Sequence, residues 1–406
     1  MRLEDVDLYS PETQEDWYPS YDLLREEAPA YRMPGTDIYV LTRYDDIKHV
    51  IKNTSLFPNG MKGNEKLMSS PEANRIYTEE GLGRVSPISS DPPIHREYRR
   101  IVDPPFASRT VEDYRERLTS RCNMLIDDFV DDRQCNFFEA FATPLPVYVI
   151  TELLGLPLDD VPRLKDWSAM WVKPFARGLS DDEEVEVARS GVEFQRYLLD
   201  RLAEARANPS DDVMSHFVRA ELSGERPLTD KEIINMIEHL YIGGNETTTF
   251  ALSSGMWLLL ERPDVYEALL EDRSLIRGFV EEVLRYESPT MGLYRFVGQD
   301  TEIAGTQIPQ GSTLHIRFAA GNRDPRMFED PETFDLLRRN AWRNMAFSLG
   351  EHHCPGAGLS RVEQNVAWDV LLDRLPNLRL TPGANDFTHR PGFVLRALKD
   401  LHISWG

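Results

Sequence analysis

The side chain best equipped for chemistry is Cys354. It sits in a segment running from Phe347 to Gly356 that also holds Gly350, His352 and His353. Apolar residues at Leu359, Val362, Val366 and Val370 then recur at helical spacing. The thiol therefore precedes a helix N-terminus, where backbone amides and the helix dipole favour the anionic form of sulfur. Gly350 and Gly356 would let the backbone turn tightly and approach something large and flat. Cys122, on the apolar face of Val111, Tyr114, Leu118, Leu125 and Phe129, reads instead as a small buried hydrophobe. Cys135, before Asn136, reads as core or loop. The Cys and His spacings lack the paired arrangement of structural zinc. From this segment alone a catalytic cysteine with a histidine partner stays open.

Other segments offer partners for such a site. Thr229 and Glu232 form a capping box. It opens a helical pattern running to Glu261, with Pro263 as its stop. Such a helix would be about 50 Å long. In its middle stand Gly243, Gly244, Asn245, Glu246, Thr247 and Thr248. Two mid-helix glycines cost ~1 kcal/mol each relative to alanine. They suit either a close helix crossing with a solvent-facing Glu246 or the approach of a cofactor face. Glu282 and Arg285 share a helix face, a spacing more often seen in exposed surface pairs. His95 and Arg99 also share a face and could clamp a carboxylate, or form a basic surface stripe.

The elements that must position these residues follow from pattern. A short strand is expected over 37–42 and a helix from there to about Asn53. Residues 56–93, with Asn59, Gly60, Gly63, Gly81, Gly83 and Pro87, show no clean period and read as a long irregular loop. From 94 to about 290 the chain is mostly helical, with a second capping box at Ser180 and Glu183. After residue 300 short strands are expected, among them 313–317, 392–396 and 401–405. The expected fold is mainly α with small β-sheets. With 406 residues and no linker, repeat or low-complexity tract, one domain spanning 1–406 is preferred.

Composition narrows the function. A net charge of −22 disfavours nucleic acid and anionic membrane surfaces as partners. No run reaches the ~18 apolar residues of a membrane span, and the first residues hold no apolar signal core. Three sparse cysteines suit a reducing compartment. A cytoplasmic location is expected.

Taken in order, these motifs form a pattern. Gly243, Gly244, Glu246 and Thr247 are followed by Glu282 and Arg285, then Arg295, then Asn322 to Pro325, then Phe334 and Arg338, then Phe347 to Gly356. From Asp91 to the C-terminus the chain resembles the cytochrome P450 family, in the form of its bacterial members. The resemblance implies a haem between the glycine-containing helix and the cysteine loop and helix. Cys354 would be the axial thiolate, a ligation that favours O–O cleavage. His95, Arg99, Arg295 and His352 would hold the propionates, and Phe347, Gly243, Gly244 and Gly356 would line the macrocycle. Glu282, Arg285 and Arg338 match a structural ion-pair network. Glu246 and Thr247 match the acid–alcohol pair of oxygen activation, the acid relaying protons and the alcohol holding oxygen by a hydrogen bond. Substrate contacts are expected from the loop 56–90, Ile242, Met291, Leu293 and Val394, whose apolar character favours a hydrophobic small molecule.

The implied reaction is monooxygenation by a monomer using haem b and O2. Electrons would come ultimately from NAD(P)H through a separate ferredoxin or flavodoxin and its reductase. Basic residues at Arg96, Arg99, Arg100, Arg109, Arg338, Arg339, Arg343 and Arg361 would face that donor. A peroxide-driven peroxygenase and a non-catalytic haem sensor are the alternatives. Two departures stand out. Ser348 replaces a usual small residue or glycine, and Pro355, which has no N–H, follows the ligand. The missing donor should make the thiolate slightly more electron-donating and lower the haem potential.

Overall fold

The computed structural model describes residues 2–60, 68–83, 87–176 and 179–406. Gly63, and part of the loop expected to touch substrate, lie outside the described residues. The helices that matter for function are α1 (Tyr44–Lys52), α2 (Pro71–Arg75), α3 (Ile94–Val102), α4 (Arg115–Asp127), α5 (Val161–Val172), α6 (Asp181–Ala207), α7 (Asp230–Leu260), α8 (Ile276–Tyr286) and α9 (Ala357–Arg374). The strands are short: β1 (Ala30–Arg32), β2 (Ile38–Leu41), β3 (Gln134–Asn136), β4 (Leu293–Phe296), β5 (Thr313–Ile316), β6 (Arg379–Leu380) and β7 (His402–Ser404). The fold is mainly helical with small sheets, as the patterns predict.

Contacts divide the chain into two compact units. The first comprises 1–59, 114–144 and 247–406. Its main sheet has the order β1-β2-β5-β4. β2 and β5 run parallel, with Ile38 opposite Thr313, and β4 is antiparallel to β5, with Arg295 opposite Leu314. A second sheet joins β6, β7 and β3. One face of the main sheet buries Leu41, Leu314 and Ile316 against Ile47, Val50 and Ile51 of α1. That apolar set recurs along α1 at helical spacing, which is why the segment folds as a helix on a sheet. α4 packs against α9, and Arg374 at the end of α9 reaches Asn123 and Asp127, both at 2.5 Å.

The second unit comprises 60–113 and 145–246. Its described core gathers Met68, Ala73, Ile76 and Tyr77 against Val187, Ala188 and Val192 of α6. Both predicted capping boxes form. Ser180 and Glu183 exchange bonds of 2.9 and 3.3 Å at the start of α6, and Thr229 and Glu232 bonds of 2.7 and 3.3 Å at the start of α7. α7 ends at Leu260, and Pro263 opens the next helix, Pro263–Glu271.

Two readings need correction. The stretch 56–93 is not all irregular, for α2 and a π-helical turn, Ile76–Glu80, lie inside it. Ser70 caps α2 and Pro71 starts it, a local signal that the absence of a long period hid. Residues 392–396 form no strand. The segment carries a single isolated bridge, Thr290 with Leu395, and so forms no ladder.

Candidate active site

In the first unit backbone bonds shape the cysteine loop. The N–H of Cys354 donates to the Phe347 carbonyl at 2.9 Å, and that of Ser348 to Met345 at 2.8 Å. Ser348 (φ 57°) and Gly350 (φ 67°) both adopt left-handed backbone. For Gly350 this is free, whereas for Ser348 it costs roughly 1–2 kcal/mol. Gly356, expected to enable a tight turn, has φ −80°, which any residue adopts, and a Cβ there would sit at ordinary contact, 3.8 Å, from the Cys354 sulfur. Pro355 precedes this N-cap residue and so stands outside α9. The sulfur-bearing residue lies three positions before the helix. The other two thiols differ: burial pushes Cys122 and Cys135 up to about 12. Among the described residues no group of three or more His, Cys, Asp or Glu is placed to hold a metal ion.

Arg295 on β4 is buried and donates to the Tyr294 carbonyl at 2.7 Å, and His352 is half-buried beside the cysteine. The Arg361 guanidinium lies 4.5 Å from the centre of the Phe347 ring. Behind the loop, Glu282 and Arg285 are fully buried and joined by two bonds of 2.7 Å. Arg338 reaches the same carboxylate at 3.1 Å, as does the Asp335 N–H at 2.9 Å. This is no exposed pair. Carbonyls of Asn322, Pro331 and Thr333 take up the remaining Arg285 donors.

Thr248 follows directly on Thr247 in α7, and its hydroxyl meets that of Ser360 in α9 at 3.1 Å. Met291 and Val394, both buried, are brought together by a 2.7 Å bond from the Met291 N–H to the Val394 carbonyl. Leu293 is exposed. Arg317, which sequence reading passed over, stacks 4.1 Å from the Trp17 ring and donates to the Phe393 carbonyl, anchoring that segment.

In the second unit Gly244 marks a close helix crossing, since a Cβ there would fall 2.9 Å from Ile150. Gly243 is the opposite. It is exposed in mid-helix while Ile242 and Asn245 are buried, and a Cβ would meet nothing within 4 Å. Glu246 is buried, not solvent-facing. Its Oε1 accepts from Lys165 at 2.6 Å and Ser168 at 3.0 Å, both on α5. Asn245 donates to Ser168 at 2.8 Å. No sequence signal links α5 to Glu246, because the partners lie about eighty residues apart. His95 is buried on α3 and so does not face solvent. Arg99 pairs with Asp103 at 2.6 Å.

The donor set fits a haem. In the first unit Cys354 precedes a helix and the buried Arg295 suits a carboxylate; in the second, taken by itself, a Cβ on Gly243 would meet nothing within 4 Å, room for a flat group. The family profile "Cytochrome P450" matches residues 165–401. The chain belongs to the cytochrome P450 family. It is 33% identical to cytochrome P450 monooxygenase PikC of Streptomyces venezuelae over 396 residues, covering 96% of this chain and 91% of that protein. It is 32% identical to 6-deoxyerythronolide B hydroxylase of Saccharopolyspora erythraea, covering 98% of each. Among solved structures it resembles cytochrome P450 CREJ in complex with (4-ethylphenyl) dihydrogen phosphate, with a TM-score of 0.91, 28% identity, and 98% of this chain and 99% of that chain covered. This P450 is thus a haem-iron monooxygenase with a single P450 fold. Among the described residues no helix is long and apolar enough to cross a membrane.

Proposed function

We propose that this P450 oxidises a hydrophobic small molecule in the cytoplasm, as one functional domain, with electrons from a separate ferredoxin or flavodoxin fed by NAD(P)H. Cys354 would ligate haem b, and His95, Arg99, Arg295 and His352 would hold its propionates. When bound, the haem supplies oxygen activation driven by an electron-rich thiolate. The chain's own task is placement and proton supply. Glu246 directly precedes Thr247 in α7, and Lys165 and Ser168 hold its carboxylate in place. Glu246 would pass protons from solvent and Thr247 would orient the acceptor. Met291, Val394 and Ile242 offer apolar surface to the substrate, and Leu293 adds an exposed apolar side chain nearby in sequence.

For the donor, Arg339 and Arg343 are exposed in the segment leading to Cys354. Leu337 and Trp342 in the same segment are the most exposed large apolar side chains among the described residues, at 70% and 63%. Arg99, Arg100, Arg338 and Arg361 each already hold a carboxylate. The donor face is therefore smaller than the sequence suggests.

The cysteine loop carries this reading. Its test is the ferrous carbonyl spectrum of purified holoenzyme. The expected band is that of thiolate ligation, and Cys354→Ser should abolish both band and turnover. Turnover with peroxide but none with a ferredoxin system would favour the peroxygenase alternative, against which the buried Glu246 speaks.

A further inference from the structure

We propose that the Arg361–Glu281 pair sets the reduction potential of the thiolate centre, with the two charges acting in opposite directions. The proposal rests on Cys354 ligating haem. Arg361 was expected to face the electron donor, but the fold gives it another occupation. Its Nε donates to Glu281 at 2.5 Å and its Nη2 to the second carboxylate oxygen at 3.2 Å, a two-pronged grip. Asn344 steadies the same carboxylate at 3.0 Å. Held this way, the guanidinium carbon lies over the Phe347 ring, 4.5 Å from its centre. Its Nη1 also points at the Ala357 carbonyl, 3.4 Å away, in the first turn of α9.

Phe347 is the residue whose carbonyl holds the Cys354 N–H. The cation thus leans on both ends of the ligand loop, the aromatic before it and the helix start after it. Both side chains are largely sheltered, at 30% and 13% exposed. Solvent screens them only in part, so their charges reach the loop more strongly than surface charges would.

The sign follows from charge. Reduction adds one negative charge at the centre, and a nearby cation stabilises that state while a nearby anion opposes it. Arg361 therefore raises the potential, and Glu281 lowers it while fixing where the cation sits. A pair that merely held the loop together would act differently, since removing either partner would then loosen the same structure in the same direction.

The test is a potentiometric titration of the holoenzyme at low salt, with dithionite as reductant. Arg361→Leu should lower the potential and Glu281→Gln should raise it. Each change should alter the reduced-to-oxidised ratio at fixed potential roughly threefold, ~28 mV at ~59 mV per tenfold for one electron. Arg361→Lys keeps the charge but not the guanidinium, and should fall nearer the parent than leucine does. If leucine at 361 costs the haem, Glu281→Gln alone decides by the sign of its shift. Shifts of the same sign, or none, overturn the proposal. A parent protein lacking the thiolate carbonyl band would overturn the haem-ligation reading instead, whereas a normal band with potentials that fail to split condemns only this pair.

Discussion

Glu282 and Glu246 are both buried glutamates, yet their surroundings differ in kind. Glu282 accepts two bonds from Arg285, one from Arg338 and one from a backbone N–H. Among the described residues its cations have no other carboxylate, and they give further donors to carbonyls. Glu246 is met by a flexible lysine, 27% exposed, and a serine, both at one oxygen. It is also the only Asp, Glu, Lys or Arg between His239 and Leu260. A saturated, rigid network suits structural support, whereas a lightly held carboxylate suits proton traffic. Position in sequence does not separate the two; the number and stiffness of partners does.

The comparison breaks most visibly at its rigid end. Glu282→Ala strands two arginines in the interior, and removing one partner of such a cluster costs about 3–5 kcal/mol. Little folded haem protein should survive, as read by thermal melting and haem content. The lightly held end should behave the other way. Glu246→Gln should cut product formation about a hundredfold or more, the usual scale of acid–base assistance, while the melting temperature hardly moves. Lys165→Met should change the pH profile of turnover with a smaller loss of rate. A large fall in stability for Glu246→Gln would erase the distinction.

Glu363 adds a third, subtler case. It lies buried on α9, its Oε2 has no hydrogen-bond partner among the described residues, and burial raises its carboxyl well above the usual range. The folded state therefore keeps a proton that the unfolded state gives up near the ordinary carboxylate range. Stability should fall as pH rises through the window between those two pKa values, by at most ~1.4 kcal/mol per pH unit. Glu363→Gln should flatten that slope in denaturant titrations run at several pH values. An unchanged slope would mean that the acid is neutralised by a partner after all.

Much of this was legible in the sequence. The capping boxes, the long helix, the short late strands and the motif order all announce themselves locally. What escaped depends on long-range pairing. Lys165 on α5 reaches Glu246 on α7 across about eighty residues of sequence, and Arg361 meets Glu281 because α8 packs against α9. Glu282 and Arg285 have the spacing of a surface pair, and nothing local says that they are buried. Ser348 adopts a left-handed backbone that nothing local in the sequence announces.

The reciprocal bonds at Thr229 and Glu232 do more than start a helix. They set the zero of a ruler on which Glu246 is a mark four and a half turns further on. With each residue advancing the phase by about 100°, losing a single one between the box and Gly243 would leave α7 helical while turning the acid toward a different neighbour. The angular address of the relay is written in its first turn.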